Sequence, residues 1–304
     1  MLQFYILGDM GSGAKDQINV SKAMKQHMDT YKPKRPFVCG LGDNIYESGC
    51  VDVNDKQFKT KFEDPYSNMK DAVKFYMTLG NHDYGYNDDM DCFGNSRSQI
   101  EYGIQSQKKG KKWIMPSNYY VFKKQISDKL FVEFFVIDTN LDVCKDEDEL
   151  YNLREIQLQK MSKKIKASKA RWKIVMGHHT WRSVGGHGNA ERDLEYFLST
   201  LMKQSPFDVY MCGHDHNKQV IEMKHPDKDA LLVVCGTGGK VYNDTKYTKN
   251  FYNNITNHKL PTKDKLLFCS QNLGFGYCEA TKDDLTFKFY DETMKFEYKH
   301  TVSK

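Results

Sequence analysis

The stretch Asp208-Val209-Tyr210-Met211-Cys212-Gly213-His214-Asp215-His216 joins a short apolar run to a glycine and then to three polar residues. An apolar run of this length between polar segments predicts a buried strand, and the residues after it are of metal-ligating types. The same arrangement recurs at Gly8-Asp9, Gly42-Asp43-Asn44, Gly80-Asn81-His82-Asp83 and Gly177-His178-His179. Because ligands bind beyond the carboxyl ends of strands in α/β sheets, we expect these polar clusters to meet in space.

The rest of the chain alternates between strand and helix patterns. Strands rich in β-branched and aromatic residues are predicted at Phe4–Leu7, Phe37–Leu41, Lys74–Leu79, Phe131–Ile137, Trp172–Met176, Asp208–Cys212 and Leu231–Cys235. Helices are predicted at Gln17–Tyr31, Glu149–Ala167 and Glu191–Gln204. This alternation indicates an α/β fold, and a hairpin pattern at Phe275–Ala280 and Leu285–Tyr290 adds a mixed sheet or a second sheet packed on the first. Tyr84–Lys112 and Lys240–Lys265 carry no strong element signal, and we interpret them as loops that could form a substrate-selecting rim or be plain surface insertions.

Composition excludes several classes of protein. The chain has 304 residues, 39% of them apolar and 28% charged, which is typical of a soluble globular protein. The longest apolar candidate, Phe131–Ile137, is interrupted by Glu133 and is far shorter than the roughly 18 residues of a membrane-spanning helix, so no transmembrane segment is expected. A net charge of +5, spread among 40 acidic residues, is too mild for a nucleic-acid-binding surface, so no nucleic-acid partner is expected. We interpret the basic run Lys108–Lys112 as a solvated loop in preference to a phosphate site.

The eight cysteines include no C-x-x-C pair, which excludes zinc-finger and thioredoxin-type sites. Cys39 and Cys212 lie in apolar runs and are expected to be buried thiols. Cys50 and Cys92 lie in loops after two of the polar clusters and could be joined by a disulfide.

The histidines are concentrated in the polar segments. Six of the ten, namely His82, His178, His179, His187, His214 and His216, lie in three segments that follow predicted strands. Together with the oxygen donors of Asp9, Asp43 and Asn81 they provide the mixed oxygen and nitrogen set that suits first-row transition metals. The clusters contain no cysteine, which argues against a structural zinc site.

These clusters resemble the ordered sequence blocks of the metallophosphoesterases, specifically those of the purple acid phosphatases and the small tartrate-resistant acid phosphatases. Most metallophosphoesterases carry a histidine two residues after the first aspartate, where this chain has Gly11. Purple acid phosphatases instead use a tyrosine three residues after the second-block aspartate, and Tyr46 stands there. The resemblance implies a single metallophosphoesterase domain over 1–304, with the four-layer α/β sandwich of the family: two mixed β-sheets flanked by helices.

The resemblance also implies a ligand set and residue roles. Fe(III) would be held by Asp9, Tyr46 and His216, and Asp43 would bridge to a second divalent metal (Fe, Zn or Mn). The second metal would be held by Asn81, His178 and His214. His82 and His187 match the family's histidines that contact substrate and protonate the leaving group while a metal-bound hydroxide attacks. Asp83 and Asp215 would orient ligating or catalytic histidines, and His179 would support the site without binding metal. Asn44 would contact substrate.

By the same resemblance the chain is expected to be an acid phosphatase acting on small phosphomonoesters or phosphoproteins, as a monomer. Two alternatives remain open: a non-catalytic anchor built on this fold, and a phosphodiesterase or nucleotidase that uses the same metals. Members of the family imply a secreted or endolysosomal location, although the N-terminal residues Met1–Leu7 are interpreted as a strand and not as a signal peptide, so a cytoplasmic location is not excluded. Asn19, Asn243 and Asn254 begin N-glycosylation acceptor patterns, which would matter only in a secreted chain.

Overall fold

A computed structural model of the protein describes residues 1–85, 92–140, 146–241 and 260–304. Within these residues the strands form two mixed sheets of seven strands each. From edge to edge, the first sheet consists of β14 (Phe296–Ser303), β13 (Asp284–Asp291), β12 (Gly274–Ala280), β1 (Leu2–Leu7), β2 (Val38–Gly40), β3 (Phe75–Met77) and β4 (Trp113–Ile114). The second sheet consists of β11 (Lys265–Ser270), β9 (Lys218–Met223), β10 (Ala230–Cys235), β8 (Val209–Cys212), β7 (Trp172–Met176), β6 (Phe131–Val136) and β5 (Tyr120–Gln125).

Helices cover the outer faces of both sheets. They are α1 (Lys15–Tyr31), α2 (Lys56–Phe58), α3 (Asn81–Tyr84), α4 (Ser96–Lys108), α5 (Glu147–Ala167) and α6 (Arg192–Gln204), with a π-helical turn at Lys59–Glu63. No helix in the described parts of the chain is long and apolar enough to cross a membrane.

The layers are held together by strands that are apolar on both faces. In β1, Leu2, Phe4 and Ile6 pack into the core between the two sheets. Tyr5 and Leu7 point the other way and pack against α1 and its neighbours. A third core lies between the second sheet and α5 and α6. Alternate residues of a strand face opposite sides of the sheet, so β1 is buried on both sides and the predicted four-layer α/β sandwich is confirmed.

Each sheet contains a block of four parallel strands, and this determines where the site forms. In the first sheet β1, β2, β3 and β4 run parallel, and in the second β6, β7, β8 and β10 do so. The carboxyl ends of neighbouring parallel strands lie at one edge of a sheet, so the polar segments that follow them are brought together there.

The sequence prediction was incomplete in several places, and β4, β5, β9, β11 and β14 were not predicted as strands. The expected loop Tyr84–Lys112 contains α4, whose buried positions are the small or polar residues Ser96, Ser98, Gln99, Gly103 and Ser106, so that helix carries no apolar periodicity to detect. The strand β9 was missed because it begins with the fully buried polar residues Lys218 and Gln219. Most of the other predicted loop, Lys240–Lys265, lies outside the described residues.

Candidate metal centre

Five strand ends supply the candidate ligands. Asp9 follows β1, Asp43 and Tyr46 follow β2, and Asn81 follows β3, all in the first sheet. The second sheet supplies His178 after β7, and His214 and His216 after β8. The side chains of all seven lie within two adjoining clusters between the edges of the two sheets.

The first cluster, here called the tyrosine group, consists of Asp9, Tyr46 and His216. Tyr46 Oη lies 3.2 Å from Asp9 Oδ1 and 3.0 Å from His216 Nε2. His216 Nε2 lies 3.5 Å from Asp9 Oδ1. A carboxylate, a phenol and an imidazole therefore direct one donor atom each at a common point.

The second cluster, here called the asparagine group, consists of Asn81, His178 and His214. Asn81 Oδ1 lies 3.2 Å from His178 Nε2 and 3.1 Å from His214 Nδ1, and those two nitrogens are 3.2 Å apart. Asp43 Oδ1 lies 3.4 Å from His178 Nε2. Ligand atoms of Asp43 also lie within 4.8 Å of those of Asp9 and His216, so Asp43 stands between the two groups.

The polarity of the asparagine group fits a cation. His178 Nδ1 lies 2.8 Å from the carbonyl oxygen of Leu41, which only accepts, so Nδ1 carries the proton and a neutral ring presents a lone pair at Nε2. That lone pair faces Asn81 Oδ1 and Asp43 Oδ1, which are acceptors too. Acceptors that converge in this way repel one another unless a cation, or a proton on His214 Nδ1, lies among them.

The pKa shifts of the buried histidines and of Asp9 also fit a bound cation. Burial lowers the pKa of His178 to about 3 and that of His216 to about 4, so both imidazoles stay neutral and able to ligate in mildly acidic solution. Burial, reinforced by the neighbouring Asp43, raises the pKa of Asp9 well above its usual range. Two buried carboxylates side by side are costly without a positive charge between them, so the donor set fits metal ions.

Three of the candidate ligands have left-handed backbone conformations. The φ angles are 55° at Asp9, 51° at Asp43 and 68° at His214. Such conformations cost a non-glycine residue on the order of 1–3 kcal/mol each and persist where the surroundings enforce them. Here Asp9 Oδ2 accepts a hydrogen bond of 2.9 Å from the backbone nitrogen of His214, which joins two of the strained residues across the sheets.

The absence of a side chain at Gly11 has a steric cause. A Cβ atom there would lie 2.0 Å from the carbonyl oxygen of Asn44. The backbones of the two loops are joined by hydrogen bonds from Gly11 N to Asp43 O, at 3.2 Å, and from Tyr46 N to Gly11 O, at 3.0 Å. A histidine at position 11 is thus excluded by this loop packing, and the same packing brings Tyr46 to the site.

Asp83 joins the loops that carry the ligands. Its buried carboxylate accepts hydrogen bonds from the backbone nitrogens of Asn44, Ile45 and Gly80 at 2.8–3.1 Å. Burial and the nearby Asp43 raise its pKa to about 7. These hydrogen bonds fix the backbone of the two loops, and none of them involves a histidine ring. Asn44 is fully buried, and its amide nitrogen donates to Thr78 O and to Asp83, so its predicted contact with substrate stays a prediction that would need this network to open.

His82 lies beside Asp43 of the donor set, whereas His187 lies beside His214. His82 Nδ1 is 2.5 Å from the carbonyl oxygen of Glu47, which leaves Nε2 directed inward, 4.0 Å from Asp43 Oδ2. His187 is exposed on a glycine-rich loop, and its ring centroid is 4.0 Å from that of His214. Asp215 Oδ1 accepts a 3.0 Å hydrogen bond from the backbone nitrogen of His187, so it positions that loop.

One supporting residue was not singled out from the sequence. The hydroxyl of Thr139, after β6, contacts the backbone nitrogens of His178 and His179 at 3.2 and 3.1 Å and lies 2.8 Å from His179 Nδ1. It therefore fixes the backbone of a ligand and the ring of its neighbour. A lone threonine at a strand end carries no distinctive sequence signal.

The cysteines are partly as expected. Cys39 and Cys212 are buried free thiols, as predicted. The suggested Cys50–Cys92 disulfide is wrong, because Cys50 is a free buried thiol, whereas Cys92 is disulfide-bonded. Asn243 and Asn254, which begin two of the glycosylation patterns, lie outside the described residues.

Comparison with known proteins places the chain among phosphoesterases. The calcineurin-like phosphoesterase family matches residues 2–218. Purple acid phosphatase 7 of Arabidopsis thaliana is 30% identical over all of this chain and 86% of its own length. Human tartrate-resistant acid phosphatase type 5 is 26% identical over 98% of this chain and 90% of its own. The solved structure of GAP50, the anchor in the inner membrane complex of Plasmodium, matches 99% of this chain and 88% of its own with a TM-score of 0.75 and 26% identity.

Proposed function

The chain belongs to the calcineurin-like phosphoesterase family and resembles its purple acid phosphatases over its full length, and on this basis we propose that it is an acid phosphatase that hydrolyses phosphomonoesters. The observation that carries the proposal is the convergence of seven donor atoms in two groups that share Asp43. A complete donor set at this edge of the sheets is what a two-metal hydrolase requires.

We assign Fe(III) to the tyrosine group and a divalent iron, zinc or manganese ion to the asparagine group, with Asp43 shared. The tyrosine group offers the hard anionic oxygens that a trivalent ion prefers. When bound, two such ions supply a nucleophile at mildly acidic pH and neutralise the charge that develops on the phosphoryl oxygens.

The remaining chemistry falls to histidines of this chain. The ring of His82 is fixed through Nδ1, so its Nε2 is oriented to hold a proton toward the departing oxygen or to contact a phosphoryl oxygen. His187 lies beside His214 on an exposed loop, and we infer that it contacts the substrate from there. We assign leaving-group protonation and substrate binding to these two residues.

The test is a visible spectrum and metal analysis of the purified protein, followed by turnover of 4-nitrophenyl phosphate across pH 4–8. We expect a violet tyrosinate-to-iron band, one iron and one further metal per chain, and hydrolysis that is fastest in acid. A colourless protein that stays colourless after reconstitution with iron contradicts the assignment.

A second candidate function is a non-catalytic anchor, and the likeness to GAP50 favours it. The intact donor set favours catalysis instead. Metal-loaded protein that hydrolyses neither 4-nitrophenyl phosphate nor bis(4-nitrophenyl) phosphate would contradict catalysis and favour the anchor, and hydrolysis of only the latter would identify a phosphodiesterase.

We further propose that the chain is a single phosphoesterase domain, acts as a monomer and resides in the secretory pathway. The disulfide at Cys92 supports that location, because disulfides persist in oxidising compartments. Light scattering tests the monomer, and a loss of apparent mass on enzymatic removal of N-linked glycans tests the compartment.

A further inference from the structure

The ammonium group of Lys240 lies at the outer side of the candidate metal centre. Its Nζ is 4.6 Å from the centroid of the Tyr46 ring and 3.3 Å from Glu47 Oε1. Lys240 follows β10 of the second sheet, whereas Tyr46 and Glu47 follow β2 of the first. The contact therefore spans the two sheets at the edge where the ligands converge.

The backbone before Lys240 is fixed against the loop that carries Asp9. Gly238 N donates a 2.9 Å hydrogen bond to Gly8 O. A Cβ atom on Gly239 would lie 2.5 Å from the carbonyl oxygen of Met10, so only glycine permits this approach. The position of Lys240 at the site is thus set by backbone packing and does not depend on its own side-chain contacts.

The pair that Lys240 forms with Glu47 is open to solvent. The side chains are 39% and 69% exposed, and ion pairs exposed to this extent contribute little to the stability of a fold. An exposed carboxylate is also easily exchanged for another anion. The ammonium group of Lys240 therefore holds a positive charge over the face of the Tyr46 ring. The ring of His82 also packs on Tyr46, with 4.6 Å between the ring centroids.

We propose that Lys240 is a substrate-binding residue that selects phosphomonoesters whose leaving group carries a second anionic group, such as a carboxylate. This inference rests on the proposed function, since it places the scissile phosphate at the donor groups. The ammonium lies on the ring face of Tyr46, outside those groups, where it meets the part of the substrate beyond the phosphate. Glu47 is the internal anion that the substrate replaces, and the flexible lysine stem accommodates leaving groups of different length.

Binding of non-hydrolysable probes tests the selection. The protein as purified, with its metal content measured, is titrated calorimetrically at pH 6 with 4-carboxyphenylphosphonate and with the neutral analogue 4-carbamoylphenylphosphonate. We expect wild type to bind the carboxylate probe roughly fivefold more tightly, as an exposed charge pair provides, and Lys240→Met to bind the two probes equally. The matched control is Lys25→Met, which removes a lysine paired with Asp29 on α1 and keeps the preference.

A preference that persists in Lys240→Met overturns the proposal, and so does a wild type that binds both probes equally or binds neither. Turnover of the two corresponding aryl phosphates separates this inference from the proposed function. A Lys240-dependent preference in binding, with neither phosphate hydrolysed, contradicts the phosphatase function and retains the role of Lys240. Hydrolysis of both phosphates with equal kcat/KM and no preference in binding retains the function and removes the role of Lys240.

Discussion

The tyrosine group and the asparagine group face each other across Asp43, but they differ in charge. The tyrosine group contains a carboxylate, a phenol that would become anionic if it bound the proposed ferric ion, and one imidazole. The asparagine group contains an amide and two imidazoles, all neutral. The shared Asp43 adds the same charge to each side. From this difference we infer that the same edge of the fold provides two unlike candidate cation sites, one suited to a trivalent ion and one to a divalent ion.

Replacing Asp43 with asparagine should have the largest effect, because it removes the charge that both groups share. We expect turnover of 4-nitrophenyl phosphate to fall on the order of 10³-fold or more, with loss of both metals. Asparagine tolerates the left-handed backbone of this position, where φ is 51°, so the fold should survive.

The matched control is Asp29→Asn, a change at an exposed residue of α1 that should leave turnover and metal content unaltered. Metal analysis and circular dichroism of both variants are the measurements. An Asp43→Asn protein that keeps both metals and full turnover contradicts a shared ligand.

Tyr46→Phe removes a donor atom from the tyrosine group and leaves the asparagine group unchanged. Because the phenol oxygen is lost while the ring remains, we expect the violet band to vanish, iron to be retained less tightly, and turnover to fall on the order of 10²-fold. The second metal should remain. Visible absorption and metal analysis report the two sides separately.

Asn81→Ala is the reciprocal change to Tyr46→Phe. It removes the amide oxygen that both histidines of the asparagine group approach. The second metal should be lost while the violet band persists. Loss of the band in Asn81→Ala, or its survival in Tyr46→Phe, would show that the two groups are not separate sites.

His187→Ala should affect catalysis without affecting either group. The ring centroid of His187 lies 4.0 Å from that of His214, but His187 is not among the seven candidate ligands. We expect kcat to fall on the order of 10²-fold while metal content stays at two per chain. A proportional loss of metal would instead assign His187 to supporting His214. The pH profile of kcat adds a check, because a lost general acid removes the alkaline limb of the profile.

Sequence reasoning identified the candidate ligands that the structure brings together, because their signal is local. Each follows a short apolar strand and a glycine, and the carboxyl ends of parallel strands meet. It missed α4 because that helix buries small and polar residues, and it missed β9 because that strand begins with buried Lys218. Single-sequence patterns do not contain contacts between residues far apart in the chain. The hydrogen bonds by which Asp83 and Thr139 connect loops are contacts of this kind, and so is the approach of Lys240 to Tyr46.

The smallest expected effect concerns His27, a buried histidine of α1 that is not among the candidate ligands. Its Nδ1 lies 2.9 Å from Tyr5 Oη, and aromatic rings surround it. Burial lowers its pKa to about 4, with a further lowering by Lys288 and an opposing contribution from Glu279. Like His216 it is kept neutral by burial, but it lies in an aromatic core and not in a donor group.

The sign of the pH dependence follows from that shift. The unfolded chain protonates His27 near pH 6.5 and the folded chain near pH 4, so the unfolded state binds more protons in between. The contribution of a neutral His27 to stability is complete above pH 6.5 and is lost as the pH falls toward 4. His27→Gln cannot titrate, so its Tm deficit relative to wild type should shrink between pH 7 and pH 4.5. Because both proteins keep the same ligand histidines, the change in that deficit isolates His27 from any acid-induced release of metal. A deficit that is constant over this range would mean that His27 titrates alike in the folded and unfolded chains.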